Sequence, residues 1–266
     1  MIKLGRKREL SSNRSNKQLI KTITIMKTKI LLNTMLLIII MLVSCSKKDD
    51  PINQVNNQNS ATVTDIDGNV YHTVTIGTQT WMVENLKTTR YNDGNAIPLV
   101  ADNATWTMTT PGYCWYNNDA ATYKNMYGAL YNWYTVNTGK LAPTGWHVST
   151  DAEWTTLTNY VTANLGTSLN VAKALAATTD WTTYSTTGTV GCNLTLNNST
   201  GFSALPGGSR NYDGTFYFVG YYGYWWSSTE YITGTACCGN MKYVANYLDR
   251  YYTNEQIGFS VRCVRD

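Results

Sequence analysis

The stretch that most constrains this chain is residues 141–165, LAPTGWHVSTDAEWTTLTNYVTANL. Pro143 and Gly145 interrupt what precedes it. Thr150 stands three residues before Glu153, the spacing of a capping box. In that motif the threonine hydroxyl accepts from the Glu153 N–H, and the Glu153 carboxylate accepts from the Thr150 N–H. Asp151 adds negative charge at the positive end of the helix dipole. Trp154, Leu157 and Val161 follow at i, i+3 and i+7, with Tyr160 beside them, and Gly166 offers a stop. The pattern predicts one capped amphipathic helix. Trp146 and Trp154, on either side of the cap, would pin it to a sheet.

Strand patterns supply that sheet. Residues 62–66, 69–76 and 80–85 alternate with period two, and Asp67-Gly68 is a hairpin turn signal. In the middle strand Val70, His72, Val74 and Ile76 share a face. His72 there reads as a hydrogen-bonded core or edge histidine, because no second His or Cys stands at metal spacing. Residues 92–118 form a packed loop weighted by Trp106, Tyr113, Trp115 and Tyr116, and 127–136 fits either a short helix or a strand. Residues 168–177 suggest a second, shorter helix capped by Ser168, and 180–203 a Thr- and Asn-rich loop. FYFVGYYGYWWSST, 216–229, reads as an aromatic strand or hairpin. Residues 242–248 and 258–264 alternate; in the latter Phe259, Val261 and Cys263 oppose Ser260 and Arg262. The class is α+β, and no period of about 20 to 50 residues suggests a repeat architecture.

The first 44 residues read as a leader. Residues 30–43 are apolar except for Asn33 and Thr34, follow Lys27 and Lys29, and end in Leu42-Val43-Ser44-Cys45. The run falls short of the roughly 20 residues of a bilayer span and has the layout of a secretory signal. Its last four residues match a bacterial lipobox, so Cys45 is expected to be lipidated and to begin the mature protein. Met26 is the expected start, with 1–25 an upstream extension, 26–44 the signal peptide, 45–61 the lipidated cysteine and a polar tether, and 62–266 a single domain. The leader carries nine of the 21 Lys and Arg and one of the 17 Asp and Glu. The remainder therefore has twelve basic against sixteen acidic residues, net −4, and offers no basic patch for nucleic acid.

Several separated words carry a resemblance. TVTIGTQTWMVENLKTTRYNDG, YCWYNND, YGALYNWYTV, GWHVSTDAEW, GFSALPGGSR and GFSVRCVRD occur in the order of the Fibrobacter succinogenes major paralogous domain family, which the chain resembles from Thr62 to Asp266. The capped helix and closing strand are also similar to those of the formylglycine-generating, sulfatase-modifying superfamily. That resemblance implies a C-type-lectin-like fold with short twisted antiparallel sheets, two helices and long loops. Lys47-Lys48-Asp49-Asp50 resembles the export signal of surface lipoproteins in Bacteroidota, which implies an outer-membrane protein exposed on the cell surface.

Two function classes remain. The leading one is a non-catalytic binding or structural domain that recognises glycan or protein. Its densest aromatic cluster is Tyr221, Tyr222, Tyr224, Trp225 and Trp226, and alternation sends Trp225 and Trp226 to opposite faces. One face is expected to enter the core and the other to stack on a ligand, with Asn and Asp residues orienting it. Asn117, Asn118 and Asp119 offer oxygens to a calcium ion, though without EF-hand spacing, and no other cofactor is implied. The alternative is an enzyme. Glu84, Glu153 and Glu230 could supply a glycoside-cleaving pair, or Cys237-Cys238 an oxidase cysteine, although TACCGN departs from the sulfatase-modifying motif. An exported domain favours disulfides. The expected pairs are Cys114–Cys263 and Cys192 with Cys237 or Cys238, leaving one thiol free.

Overall fold

The computed structural model describes residues 61–165 and 170–266, so the leader, Cys45, the tether, Gly166 and Ser168 lie outside the described residues. The chain opens with β1 (Thr62–Thr64), β2 (Val70–Ile76) and β3 (Gln79–Met82). A loop-rich excursion follows, holding α1 (Asn103–Trp106), β4 (Tyr113–Cys114), α2 (Ala120–Tyr127), β5 (Leu130–Tyr131) and α3 (Trp133–Val136). Then come β6 (Trp146–Val148), the long helix α4 (Asp151–Leu165) and the short α5 (Val171–Leu175). The last part is β7 (Gly207–Arg210), β8 (Phe216–Val219), β9 (Tyr222–Ile232), β10 (Thr235–Lys242), β11 (Asp249–Asn254) and β12 (Cys263–Arg265). The result is an α+β architecture with two five-stranded sheets, ordered β1-β2-β3-β12-β6 and β11-β10-β9-β7-β8, and a small β4-β5 pair.

The capping box forms as the spacing requires. The Thr150 hydroxyl accepts from the Glu153 N–H at 3.2 Å, and Glu153 Oε2 accepts from the Thr150 N–H at 2.8 Å. Below it Trp154, Leu157 and Val161 are buried against Trp81 of β3, whose ring centroid is 5.0 Å from that of Trp154. Trp146, on β6, is only half-buried and lies under the Arg265 guanidinium at 5.2 Å.

Neighbouring strand residues feed two different cores. Met82, Cys263 and Trp226 enter one cluster, while Trp81, Val264 and Trp225 enter the other with α4 and α5. Successive side chains on a strand point to opposite faces, and here both faces of the central strands are covered. Arg262, on the face opposite Phe259, Val261 and Cys263, is therefore also enclosed. It is fully buried and donates to Asn85 Oδ1 and to the carbonyls of Met82, Phe202 and Ser203 at 2.8–2.9 Å. Burial lowers its pKa to about 9.

Other expectations are corrected by long-range pairing. In β2 the buried residues are Tyr71, Thr73 and Ile76, while Val70 and His72 are exposed. His72 sits with its Nδ1 2.6 Å from Glu84 Oε1. Residues 216–229 are not a simple hairpin, because β7 lies between β8 and β9 and runs parallel to β9. Residues 242–248 are turn and loop after Lys242, and the strand comes later as β11. Residues 127–136 split into the end of α2, β5 and α3.

The disulfide expectation is also overturned: Cys114, Cys192, Cys237, Cys238 and Cys263 are all free among the described residues. Cys114 lies in a third cluster with Trp106, Tyr116 and Leu130, whereas Cys263 lies in the first, paired across the ladder with Val148. Cys237 and Cys238 are adjacent on a strand and point to opposite faces.

Candidate functional site

One face of the second sheet curls into a cleft of about 290 Å³. Register explains its composition. Ser209 pairs with Tyr217 across β7 and β8, Tyr224 with Asn240 across β9 and β10, and Cys238 with Tyr251 across β10 and β11. Partners across a ladder share a face, so this face gathers residues from every strand of the sheet. The floor is Tyr224 against Phe259, two buried rings stacked at 4.8 Å and 3°. Tyr217 and Phe218 form one wall, and Tyr251 and Ile257 the other; Ser209 and Asn211 complete the lining.

Phe218 is held in an unusual way. Its φ is 69°, a left-handed conformation that costs a bulky residue about 1–3 kcal/mol. The turn behind it fixes that geometry: the Tyr221 N–H donates to the Phe218 carbonyl at 3.0 Å, and the Gly220 N–H donates to Pro206. The ring lies on Tyr222 at 4.6 Å and 25° and remains 46% exposed, beside Tyr217 at 41%.

The aromatic cluster expected from sequence is divided. Tyr221 is 46% exposed with its ring against Tyr243, Tyr222 is half-buried under Phe218, and Tyr224 is in the cleft floor. Trp225 and Trp226 do point in opposite directions, but each reaches a core and neither reaches solvent. Trp225 Nε1 donates to Asn85 Oδ1 and Trp226 Nε1 to the Tyr131 carbonyl, both at 2.9 Å. Sequence reasoning named Tyr221, which is exposed, but missed Tyr217 and Phe218, the exposed rings that line the cleft. They lay inside the aromatic word, but its weight in tryptophan drew attention two strands' width away from the rim.

Asn117 and Asp119 do not line the cleft. Asn117 takes φ 52° in a turn, and Asp119 caps α2, its Oδ1 accepting from the Thr122 N–H at 3.0 Å. That bond and the Thr122 hydroxyl hold its carboxyl below the ordinary range. Among the described residues no three His, Cys, Asp or Glu side chains converge to hold a metal ion.

A second cleft of about 270 Å³ lies beside the helix cap, lined by Val136, Leu141, Ala142 and Val148 with His147, Thr150 and Ser228 as polar members. His147 Nδ1 is 2.7 Å from Asp266 Oδ1, and Nε2 is 2.7 Å from Glu153 Oε1. Each nitrogen faces a carboxylate oxygen, an arrangement that favours the doubly protonated ring. Burial works against that charge, but the two carboxylates outweigh it and raise the pKa. This histidine has no free nitrogen with which to act as a base. Of the three carboxylates named for the enzyme alternative, Glu84 holds His72, Glu153 holds the cap and His147, and Glu230 lies near Glu255. Burial pushes Cys114 up to about 12 and Cys238 and Cys263 well above their usual value, so these thiols stay protonated.

The model of the Fibrobacter succinogenes major domain family matches residues 74–265, from β2 to β12. The chain belongs to that family. No curated protein and no solved structure matched the chain. Both clefts fall within the span of the Fibrobacter succinogenes major domain, as do the word GFSALPGGSR and all of GFSVRCVRD but its last residue, Asp266. Those two words supply Arg210 and Arg262, which are fully buried. Arg210 and Arg262 therefore belong to the framework, whereas Tyr217 and Phe218 on β8 present exposed rings at the first cleft.

Proposed function

We propose that this protein is a lipid-anchored outer-membrane recognition protein whose folded domain binds its ligand, without chemistry, in the aromatic cleft of the second sheet. The observation that carries the reading is the pair of half-exposed rings, Tyr217 and Phe218, at the rim of a preformed cleft, with Phe218 held at φ 69°. Strain at a residue that presents its ring to solvent is a mark of a site rather than of packing. The lipobox at Leu42–Cys45 and the polar tether support display outside the cell. The placement of β12 beside β3, with α4 packed against them, is the feature that supports a C-type-lectin-like architecture.

The test is retention on arrays of glycans and of cell-surface proteins, using the full chain in detergent. Phe218→Ala should weaken retention about tenfold, the loss expected when one stacking ring is removed, and should leave the melting temperature within a few degrees. Trp225→Ala should instead unfold the domain, since deleting a buried tryptophan costs about 3–5 kcal/mol. Full retention by Phe218→Ala would place the site elsewhere.

A further inference from the structure

We infer that the ligand of the aromatic cleft is a neutral saccharide, a step that rests on the cleft being the binding site. Among the described residues its lining holds no charged side chain; the polar groups are Ser209, Asn211 and the hydroxyls of Tyr217, Tyr224 and Tyr251. Lys242 reaches toward these rings, with Nζ 5.9 Å from the Tyr222 centroid, but it is already paired with Asp249 at 3.1 Å. An anionic ligand would lose its water without meeting an unpaired cation in the lining, and a cationic one would meet no carboxylate there. The lining offers ring faces alternating with neutral hydrogen-bonding groups. A pyranose has the complementary surface, with a C–H face to lie on Phe218 or Tyr217 and hydroxyls around its edge.

Asn240 adds a second, independent observation. It sits opposite Tyr224 and two residues from Cys238, so its side chain shares the sheet face that forms the cleft. Its Oδ1 is buried with no hydrogen-bond partner among the described residues. A buried carbonyl oxygen without a donor is unfavourable. Asn240 is not itself a lining residue, so a ligand hydroxyl relieves it through a bridging water, whereas an apolar side chain of a peptide ligand cannot. The cleft volume of about 290 Å³ is at the small end of ligand sites, which suits a chain terminus or a short segment rather than a long bound polymer.

The experiment is isothermal titration calorimetry of the full chain in detergent against a panel of neutral glucose, mannose and N-acetylglucosamine oligosaccharides. Sialylated and sulfated oligosaccharides and choline serve as charged probes. The expected result is binding of at least one neutral member, weakened about tenfold by Asn240→Leu through loss of the acceptor and by at least as much in Phe218→Ala. Asn240→Leu should melt no lower than the parent, because it removes an unsatisfied atom. Binding of charged probes alone, or of no saccharide, overturns the inference. So does neutral-sugar binding that neither variant changes. If a protein on the array is lost in Phe218→Ala while no saccharide binds, the cleft stands as the site and only the saccharide assignment falls.

Discussion

Glu255 is 5% exposed, and its Oε1 has no hydrogen-bond partner among the described residues. Its backbone is fixed on both sides, the N–H to the Gly234 carbonyl and the carbonyl to the Trp133 N–H. Burial raises its pKa, and the neighbouring Glu230 raises it further, against a weaker pull from the Tyr134 hydroxyl. A carboxyl whose folded pKa is above its unfolded one keeps its proton more tightly when folded. Stability is then highest below the unfolded value of 4.5 and falls as pH rises from there through the folded pKa. Glu255→Gln should remove that slope. Urea denaturation across this window checks it: the parent should lose stability relative to the Gln variant as pH rises, and parallel curves would show that Glu255 is not the group responsible.

The helix cap shows what local spacing can convey. Thr150 and Glu153 are three residues apart, and both bonds of the box form within that interval, so the motif was legible without knowledge of anything distant. Thr150→Ala should cost about 1 kcal/mol, a fall of about 2–4 °C in melting temperature for a domain of this size; no change would mean that Asp151 and His147 hold the helix start alone. Other elements could not be read this way. Residues 242–248 alternate as a strand does, yet alternation in a short segment is also compatible with a turn, and β10 and β11 choose their register from each other. The aromatic run 216–229 signalled strand, but β7 inserts between its two halves from earlier in the chain. Trp225 and Trp226 were read for a sheet with one covered face, and no local signal announces that both faces are covered. The left-handed Phe218 was invisible as well, since Gly and Asn, not Phe, mark that conformation in a sequence.

Across the whole molecule, two cores share strands, and Arg262 stands where they meet. Its guanidinium links β3 through the Met82 carbonyl, the 202–203 segment through two carbonyls, and Asn85. Replacing it with Met would leave those acceptors facing an apolar chain, a cost of about 3–5 kcal/mol. The expected fall in melting temperature is about 10 °C or more, with partial recovery in Arg262→Lys. A loss of only a degree or two would mean that water takes over the bonds.

The position of β12 also sets a timetable. It is hydrogen-bonded to β3 on one side and to β6 on the other, so the first sheet is two separate fragments until residues 263–265 have arrived. Contacts that span nearly the whole domain form late and slowly. A chain that still lacks residues 263–265 has therefore closed neither core, and its first sheet stays open until the last strand is in place.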